Sequence, residues 1–244
     1  MSTFVLVHGA WHGAWCWQKL VPLLEANGHR VVAPDLAGLG RDQTPLAEAT
    51  LDRWAADVSR LLDAEREPVI LVGHSRGGLV ISEVAERRPS KIKTLVYLTA
   101  MLVRDGEAGL QALGALGHTP LQDYLVPSAD GATLTVRDEG IRPSFYAMCS
   151  DEDVALAKRL LRPEPTQPSV TPVHVSDKNF GRVPRVYIEC LRDQAILPAM
   201  QKAMYTATPC RRVISMDTDH SPFFSAPTEL ARHLDHVSAS FAQL

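Results

Sequence analysis

Six short apolar runs, rich in leucine and β-branched residues, recur along the chain: Phe4 to His8, Arg30 to Ala33, Val69 to Gly73, Ile92 to Thr99, Arg185 to Cys190 and Arg212 to Ser215. Runs of this length and composition predict strands. Between most of them the apolar positions change to helical spacing. Trp17, Leu20, Val21 and Leu24 fall at i, i+3, i+4 and i+7, and so do Leu51, Trp54, Ala55 and Val58, which gives each segment one apolar face. A last helix follows Ala226-Pro227-Thr228, with Leu230, His233, Leu234, Val237 and Phe241 on one face. Strands that alternate with helices call for parallel pairing, because each parallel crossover needs a helix-length connection. The expected fold class is α/β, with a six-stranded, mainly parallel, doubly wound sheet.

One stretch interrupts the alternation. From about Arg104 to Arg182 there is no core strand, and prolines gather at Pro163, Pro165, Pro168 and Pro172. A helical pattern covers Asp151 to Leu161, and Tyr124, Phe145, Tyr146, Met148, Leu156, Leu160 and Leu161 supply more apolar surface than a disordered linker carries. The expectation is a mostly helical lid at 104–182, inserted into a core made of 1–103 and 183–244. It would sit over the carboxyl ends of the strands, where ligands bind in open α/β sheets.

Length and composition narrow the class. At 244 residues and 45% hydrophobic content, one α/β domain with an insertion is expected. A net charge of -3 gives no electrostatic reason to bind nucleic acid or an anionic membrane. Cys16, Cys149, Cys190 and Cys210 lack metal-ligand spacing and read as reduced, core-filling residues. The start, Met1 to Val7, has no basic region and reads as a first strand, and no apolar run reaches the length of a membrane span. A cytoplasmic protein is the default. Oligomeric state is open, a homodimer included.

The candidate chemistry begins at Val72-Gly73-His74-Ser75-Arg76-Gly77-Gly78, a G-x-S-x-G pattern directly after a strand and directly before the helical positions Leu79, Val80, Val84 and Ala85. That context makes it a nucleophile elbow, whose sharp turn leaves no room for side chains two residues either side of the serine. A serine hydroxyl needs a base, and the base needs an orienting acid. Of nine histidines, His220 lies just beyond the last strand, on the sheet edge where Ser75 emerges. Asp193 follows the Arg185–Cys190 strand by a short turn and is the expected acid. Asp219 is read as loop-structuring or solvated, and Asp35 as a turn residue. The strand end Tyr97-Leu98-Thr99-Ala100 offers no carboxylate. Backbone amides of Arg76 and, in the loop after the first strand, Ala10 are the expected oxyanion donors. His8 and His12 are four apart, but Gly9 and Gly13 disfavour a helix there and no third ligand is near, so neither metal nor cofactor is expected.

These segments resemble the α/β-hydrolase branch of plant methyl-ester esterases, plant hydroxynitrile lyases and bacterial pyrethroid-hydrolase-type carboxylesterases. The resemblance rests on Val5 to Trp15, Gly73 to Gly78, Cys149 to Arg162, Val186 to Pro198 and Asp219 to Pro222. It implies the α/β-hydrolase fold, a Ser75–His220–Asp193 triad, and an apolar acyl pocket under the lid. Candidate substrate contacts are Gly9, Trp11, Tyr124, Phe145, Tyr146, Met148 and Ser221. The lyases of this branch carry threonine at the position of Gly9 and lysine at that of Ser221. Both are missing, which favours hydrolysis of a small, apolar or aromatic carboxylic ester through an acyl-enzyme over cyanohydrin cleavage. Other cofactor-free chemistry and a receptor-like binding role are the alternatives. Arg76 departs from the apolar residue common in the plant esterases, and its side chain is expected to point to solvent, with a contact to an anionic substrate group as the alternative.

Overall fold

Parallel strands with apolar side chains on both faces must be covered on both faces, and the computed structural model shows how this chain does so. The structure describes residues 1–240; Phe241, expected on the face of the last helix, lies outside them. The described residues form nine strands: β1 (Thr3–Val7), β2 (Arg30–Val32), β3 (Val69–His74), β4 (Ile92–Leu98), β5 (Leu125–Pro127), β6 (Thr133–Val136), β7 (Glu164–Pro165), β8 (Arg185–Cys190) and β9 (Arg212–Met216). They form ten α-helices: α1 (Val21–Ala26), α2 (Leu51–Ala64), α3 (Gly77–Arg87), α4 (Gly109–Leu116), α5 (Asp138–Phe145), α6 (Asp151–Leu160), α7 (Gln167–Val170), α8 (Pro198–Ala207), α9 (Pro222–Ser225) and α10 (Pro227–Ser240).

All six expected runs become strands of one sheet, in the order β2-β1-β3-β4-β8-β9 and parallel throughout. Alternate residues feed two cores. Val5, Val7, Leu71, Leu95 and Tyr97 pack with α2, α3 and α8 on one face. Phe4, Leu6, Ile70, Val72 and Val96 pack with α1 and α10 on the other, where Leu230, Leu234 and Val237 are buried. The face of α2 behaves as its spacing predicts, with Leu51, Trp54, Ala55 and Val58 buried. The stretch after the first loop is less regular. Trp17 belongs to a 3₁₀ turn (Ala14–Trp17), and α1 starts only at Val21, with Pro22 in its first turn; proline fits a helix start and not its interior.

Between β4 and β8 the chain leaves the sheet. Four helices, α4 to α7, make up most of the regular structure in this stretch, and a small three-stranded antiparallel sheet, β5-β6-β7, accompanies them. Its strands have three, four and two residues, too short for an alternating pattern to stand out. Helix α6 was easier to read, being entered at Ser150, whose hydroxyl accepts the Asp153 amide at 3.2 Å. No described helix is long and apolar enough to cross a membrane.

Candidate active site

Strand β3 stops at His74, and the next residue, Ser75, has φ +53°. A left-handed serine costs about 1–2 kcal/mol, so the surroundings must hold it. Its amide donates to Leu98 O, and its carbonyl accepts from Gly78 N and Met101 N at 3.1 and 2.9 Å. The flanking glycines answer to space. A Cβ on Gly73 would lie 2.8 Å from Gly77 O, and one on Gly77 would lie 2.8 Å from Val7 O. The other described non-glycine residues with positive φ are Trp11 and Thr99. Both border the same site, which is where backbone strain tends to gather.

The turns after β8 and β9 bring Asp193 and His220 together. Asp193 Oδ2 accepts from His220 Nδ1 at 2.6 Å, and both side chains are buried. Because a carboxylate only accepts, the proton lies on Nδ1 and the lone pair on Nε2. Asp193 is held on every side: Oδ1 accepts the amides of Ala195 and Ile196 at 2.7 and 2.9 Å, and Oδ2 also accepts the Thr99 hydroxyl. Thr99 is a site residue that the search for carboxylates passed over. Its signal was position alone, directly after β4 on the same sheet edge. The His220 carbonyl accepts from His74 Nε2 at 2.9 Å, which ties the base loop to the residue before Ser75.

Asp219 is neither solvated nor an alternative acid. It is buried, taking the amides of Met148 (2.8 Å) and Ser221 (3.2 Å), the Ser225 hydroxyl (2.8 Å) and the Cys149 thiol. His8 and His12 are buried and each is engaged at both nitrogens. His8 Nδ1 donates to Gly9 O and its Nε2 accepts the Leu36 amide. His12 Nδ1 donates to Ala10 O, and Nε2 accepts the Tyr146 hydroxyl at 2.5 Å. Burial holds both rings neutral, lowering His8 to about 3 and His12 to about 4.

Ala10, Ser75 and Arg76 line one cavity of about 90 Å³, together with lid residues such as Leu121, Gln122 and Ser169. Among the described residues, the Ala10 and Arg76 amides have no acceptor. A hollow of about 930 Å³ lies at the opposite edge of the sheet, against Thr3, Arg30, Ile92 and Arg211. It contains none of the site residues, so size is a poor guide here and chemistry the better one. Of the expected pocket residues, Trp11 lines the smaller cavity and Gly9 abuts Ser75. The others do not line it. Phe145 packs on His220 and Trp11, with ring centres 5.7 and 5.5 Å apart. Tyr146 is committed to His12, and Ser221 and Met148 to Asp219. Tyr124 stands under the Arg137 guanidinium. Aromatic content marked the lid's packing residues rather than the cavity wall.

The Arg76 side chain does not reach solvent as expected. It is 1% exposed, its Nε donates to Glu164 Oε1 at 2.8 Å, and its guanidinium lies 4.0 Å above the Trp54 ring. Burial pushes the Glu164 carboxyl up and the Arg76 guanidinium down, while their mutual attraction opposes both shifts. Glu164, in a proline-rich stretch, gave no sign of this role; the only hint was a cation beside a nucleophile, a position that requires a counter-charge once buried.

Comparison with known proteins agrees with the architecture. A methylesterase of Arabidopsis thaliana, Methylesterase 1, is 34% identical over 98% of this chain and 96% of its own. The crystal structure of another Arabidopsis methylesterase superposes with a TM-score of 0.85 at 31% identity, covering 98% of this chain and all of that one. A pyrethroid hydrolase from Sphingobium faniae gives 0.89 at 30% identity, covering 100% and 99% of the two chains. Residues 4–233 match the alpha/beta hydrolase family, and the chain belongs to that family.

Proposed function

We propose that this carboxylic ester hydrolase uses Ser75 as nucleophile, His220 as base and Asp193 as orienting acid, with the Ala10 and Arg76 amides as oxyanion donors. The observation that carries the reading is the 2.6 Å His220–Asp193 pair, with its base nitrogen Nε2 left unbonded among the described residues, tied through His74 Nε2 to the chain just before a serine at positive φ. His220 Nε2 takes the Ser75 proton as Oγ attacks the ester carbonyl, and the two amides receive the oxyanion. The same imidazole, now charged and supported by Asp193, protonates the departing alcohol. A water then gives its proton to His220 as its oxygen attacks the acyl carbon, and His220 returns that proton to Ser75 Oγ as the Oγ–acyl bond breaks and the acid departs.

Substrate size follows from the cavity. A volume of about 90 Å³ is smaller than the roughly 150 Å³ engineered void that admits benzene, so the acyl group is short or the cavity must widen around it. Methyl and other small esters fit best, in keeping with the methylesterase relatives. Gly9 and Ser221 support hydrolysis over cyanohydrin cleavage, since a lyase must hold cyanide as it leaves and Ser221 brings no charge. Four unpaired cysteines support a cytoplasmic setting, and the net charge of -3 supports a small-molecule partner in preference to nucleic acid or membrane.

The test is a panel of esters varied in acyl and alcohol parts, with mandelonitrile included, run on wild type and Ser75→Ala. Ester turnover should fall by about a millionfold in the variant, as for a nucleophile lost from a serine protease, with the fold retained by circular dichroism. Substantial residual hydrolysis would remove Ser75 from the mechanism, and cyanide release faster than ester cleavage would overturn the esterase reading.

A further inference from the structure

The Ala10 amide sits between two residues whose backbone is tied down by charged side chains. On one side, Gly9 O accepts from Arg76 Nη2 at 3.2 Å; on the other, the Trp11 amide donates to Glu164 Oε2 at 2.9 Å. The 2.8 Å Arg76–Glu164 bond closes the ring. Arg76 belongs to the ring twice over, because its own amide is the second oxyanion donor. Both charged groups are almost wholly buried, where bonds between ions are short, directional and strong.

Glu164 is supplied by the lid. It lies in β7 and pairs with Leu134 of β6. Leu134 O in turn accepts the Trp11 indole Nε1 at 2.9 Å, and the Arg162 amide donates to Trp11 O at 3.0 Å. The amide, carbonyl and indole of Trp11 are therefore all bonded to lid residues, and Trp11 is held at φ +62°. An isolated loop would leave that conformation readily. Its neighbour Ala10 points an amide into the Ser75 cavity only while this backbone turn is kept.

We propose that Glu164 is a positioning residue for ester hydrolysis: from the lid it fixes Trp11 directly and Gly9 through Arg76, and so aims both oxyanion donors. The proposal rests on Ala10 and Arg76 being those donors. Glu164 lines the Ser75 cavity but accepts its hydrogen bonds from the Trp11 amide and Arg76, not from Ser75 or His220, and its effect falls on the step in which negative charge develops on the carbonyl oxygen. Ground-state binding in the apolar part of the cavity is left largely alone.

The experiment is steady-state kinetics and urea unfolding on Glu164→Ala, Glu164→Gln and the double variant Arg76→Met/Glu164→Leu, beside wild type and Ser75→Ala. Glu164→Ala should lower kcat by about 10- to 100-fold, the scale of a misplaced catalytic group, with KM within about threefold of wild type. Glu164→Gln keeps an acceptor for the Trp11 amide and should recover part of that loss. The double variant contains no unpaired buried charge, so its stability should return toward wild type while kcat stays low. If Glu164→Ala does not fold, the double variant gives the same reading. Wild-type kcat in a folded Glu164 variant overturns the proposal, and so does a double variant whose kcat recovers together with its stability. Failure of the esterase reading has a different signature, hydrolysis that survives Ser75→Ala, and it overturns both.

Discussion

At the residue scale the site is governed by how little room it leaves. A Cβ on Gly9 would lie 2.8 Å from His74 Nδ1 and 2.9 Å from Ser75 Cβ. Neither neighbour is free to yield, since Ser75 is held in a strained turn and His74 is bonded to the His220 carbonyl. Gly9→Ala should therefore displace the nucleophile relative to its base and lower kcat by about 100-fold; steady-state kinetics at near-normal stability would check this, and unchanged kcat would show that the elbow gives way at no cost. Thr99→Val makes a gentler test. It removes one of four donors to Asp193, a charge-assisted bond of about 1.5–3 kcal/mol, while three donors still aim the carboxylate, so a drop in kcat below about tenfold is expected. The positions proposed as the triad stood out in the sequence because Ser75, Asp193 and His220 each follow a strand of the main sheet closely, and strand ends share one edge. Thr99 follows a strand just as closely but carries a hydroxyl, and the orienting acid of a triad is a carboxylate. Glu164 follows no pattern at all, and only the folded lid shows what it faces.

At the element scale, the long periodic segments were legible and the short ones were not. Helices α2 and α10 and all six core strands repeat their apolar positions often enough to be recognised. Strands β5 to β7 do not, and the 3₁₀ turn at Trp17 mimics helical spacing without continuing it. The sequence pointed to an insertion between the fourth and fifth core strands without showing what fastens that stretch to the core. One fastening is Asp219, which joins the α5–α6 connection, through Met148 and Cys149, to the His220 loop, through Ser221 and Ser225. Asp219→Ala leaves two buried donors, the Ser221 amide and the Cys149 thiol, without an acceptor, while Met148 is half-exposed and the Ser225 hydroxyl keeps Ser221 O. A loss of about 3 kcal/mol is expected, at about 1–3 kcal/mol for each group that water cannot reach, together with reduced turnover because the next residue is the base. Asp219→Asn, which keeps one acceptor oxygen, should fall between. Urea unfolding and kcat measured on both variants would decide it: an unchanged midpoint in Asp219→Ala would mean that water replaces the carboxylate in full.

At the scale of the whole molecule, the site rests on a row of histidines that the fold keeps neutral. His8 is lowered to about 3, His12 to about 4 and His74 well below its ordinary range, in each case chiefly by burial. His74 is packed edge-on against Phe223 and Trp17, surroundings that offer a proton no counter-charge. The sign of the resulting pH dependence is fixed. Each folded-state value lies below the unfolded value of 6.5, so between these limits the unfolded chain binds protons that the folded chain does not. Stability must then fall as the pH drops below about 6.5, and above that pH the three rings contribute no slope. Each fully engaged histidine contributes about 1.4 kcal/mol per pH unit, so three contribute about 4. Glu164, pushed up by burial, works in the opposite direction, but only in the carboxylate range. A typical domain stability of about 5–15 kcal/mol would be largely spent within two or three units below 6.5, which predicts acid unfolding between roughly pH 4.5 and 3.5. Urea midpoints at pH 7.5, 6 and 5 should decline progressively, and the slope of stability against pH should shrink by about one proton in His12→Gln, where an amide oxygen still receives the Tyr146 hydroxyl. Midpoints that stay level from pH 7.5 to 5 would mean that the rings accept protons within the folded state, and the neutral row beneath the nucleophile would have to be abandoned.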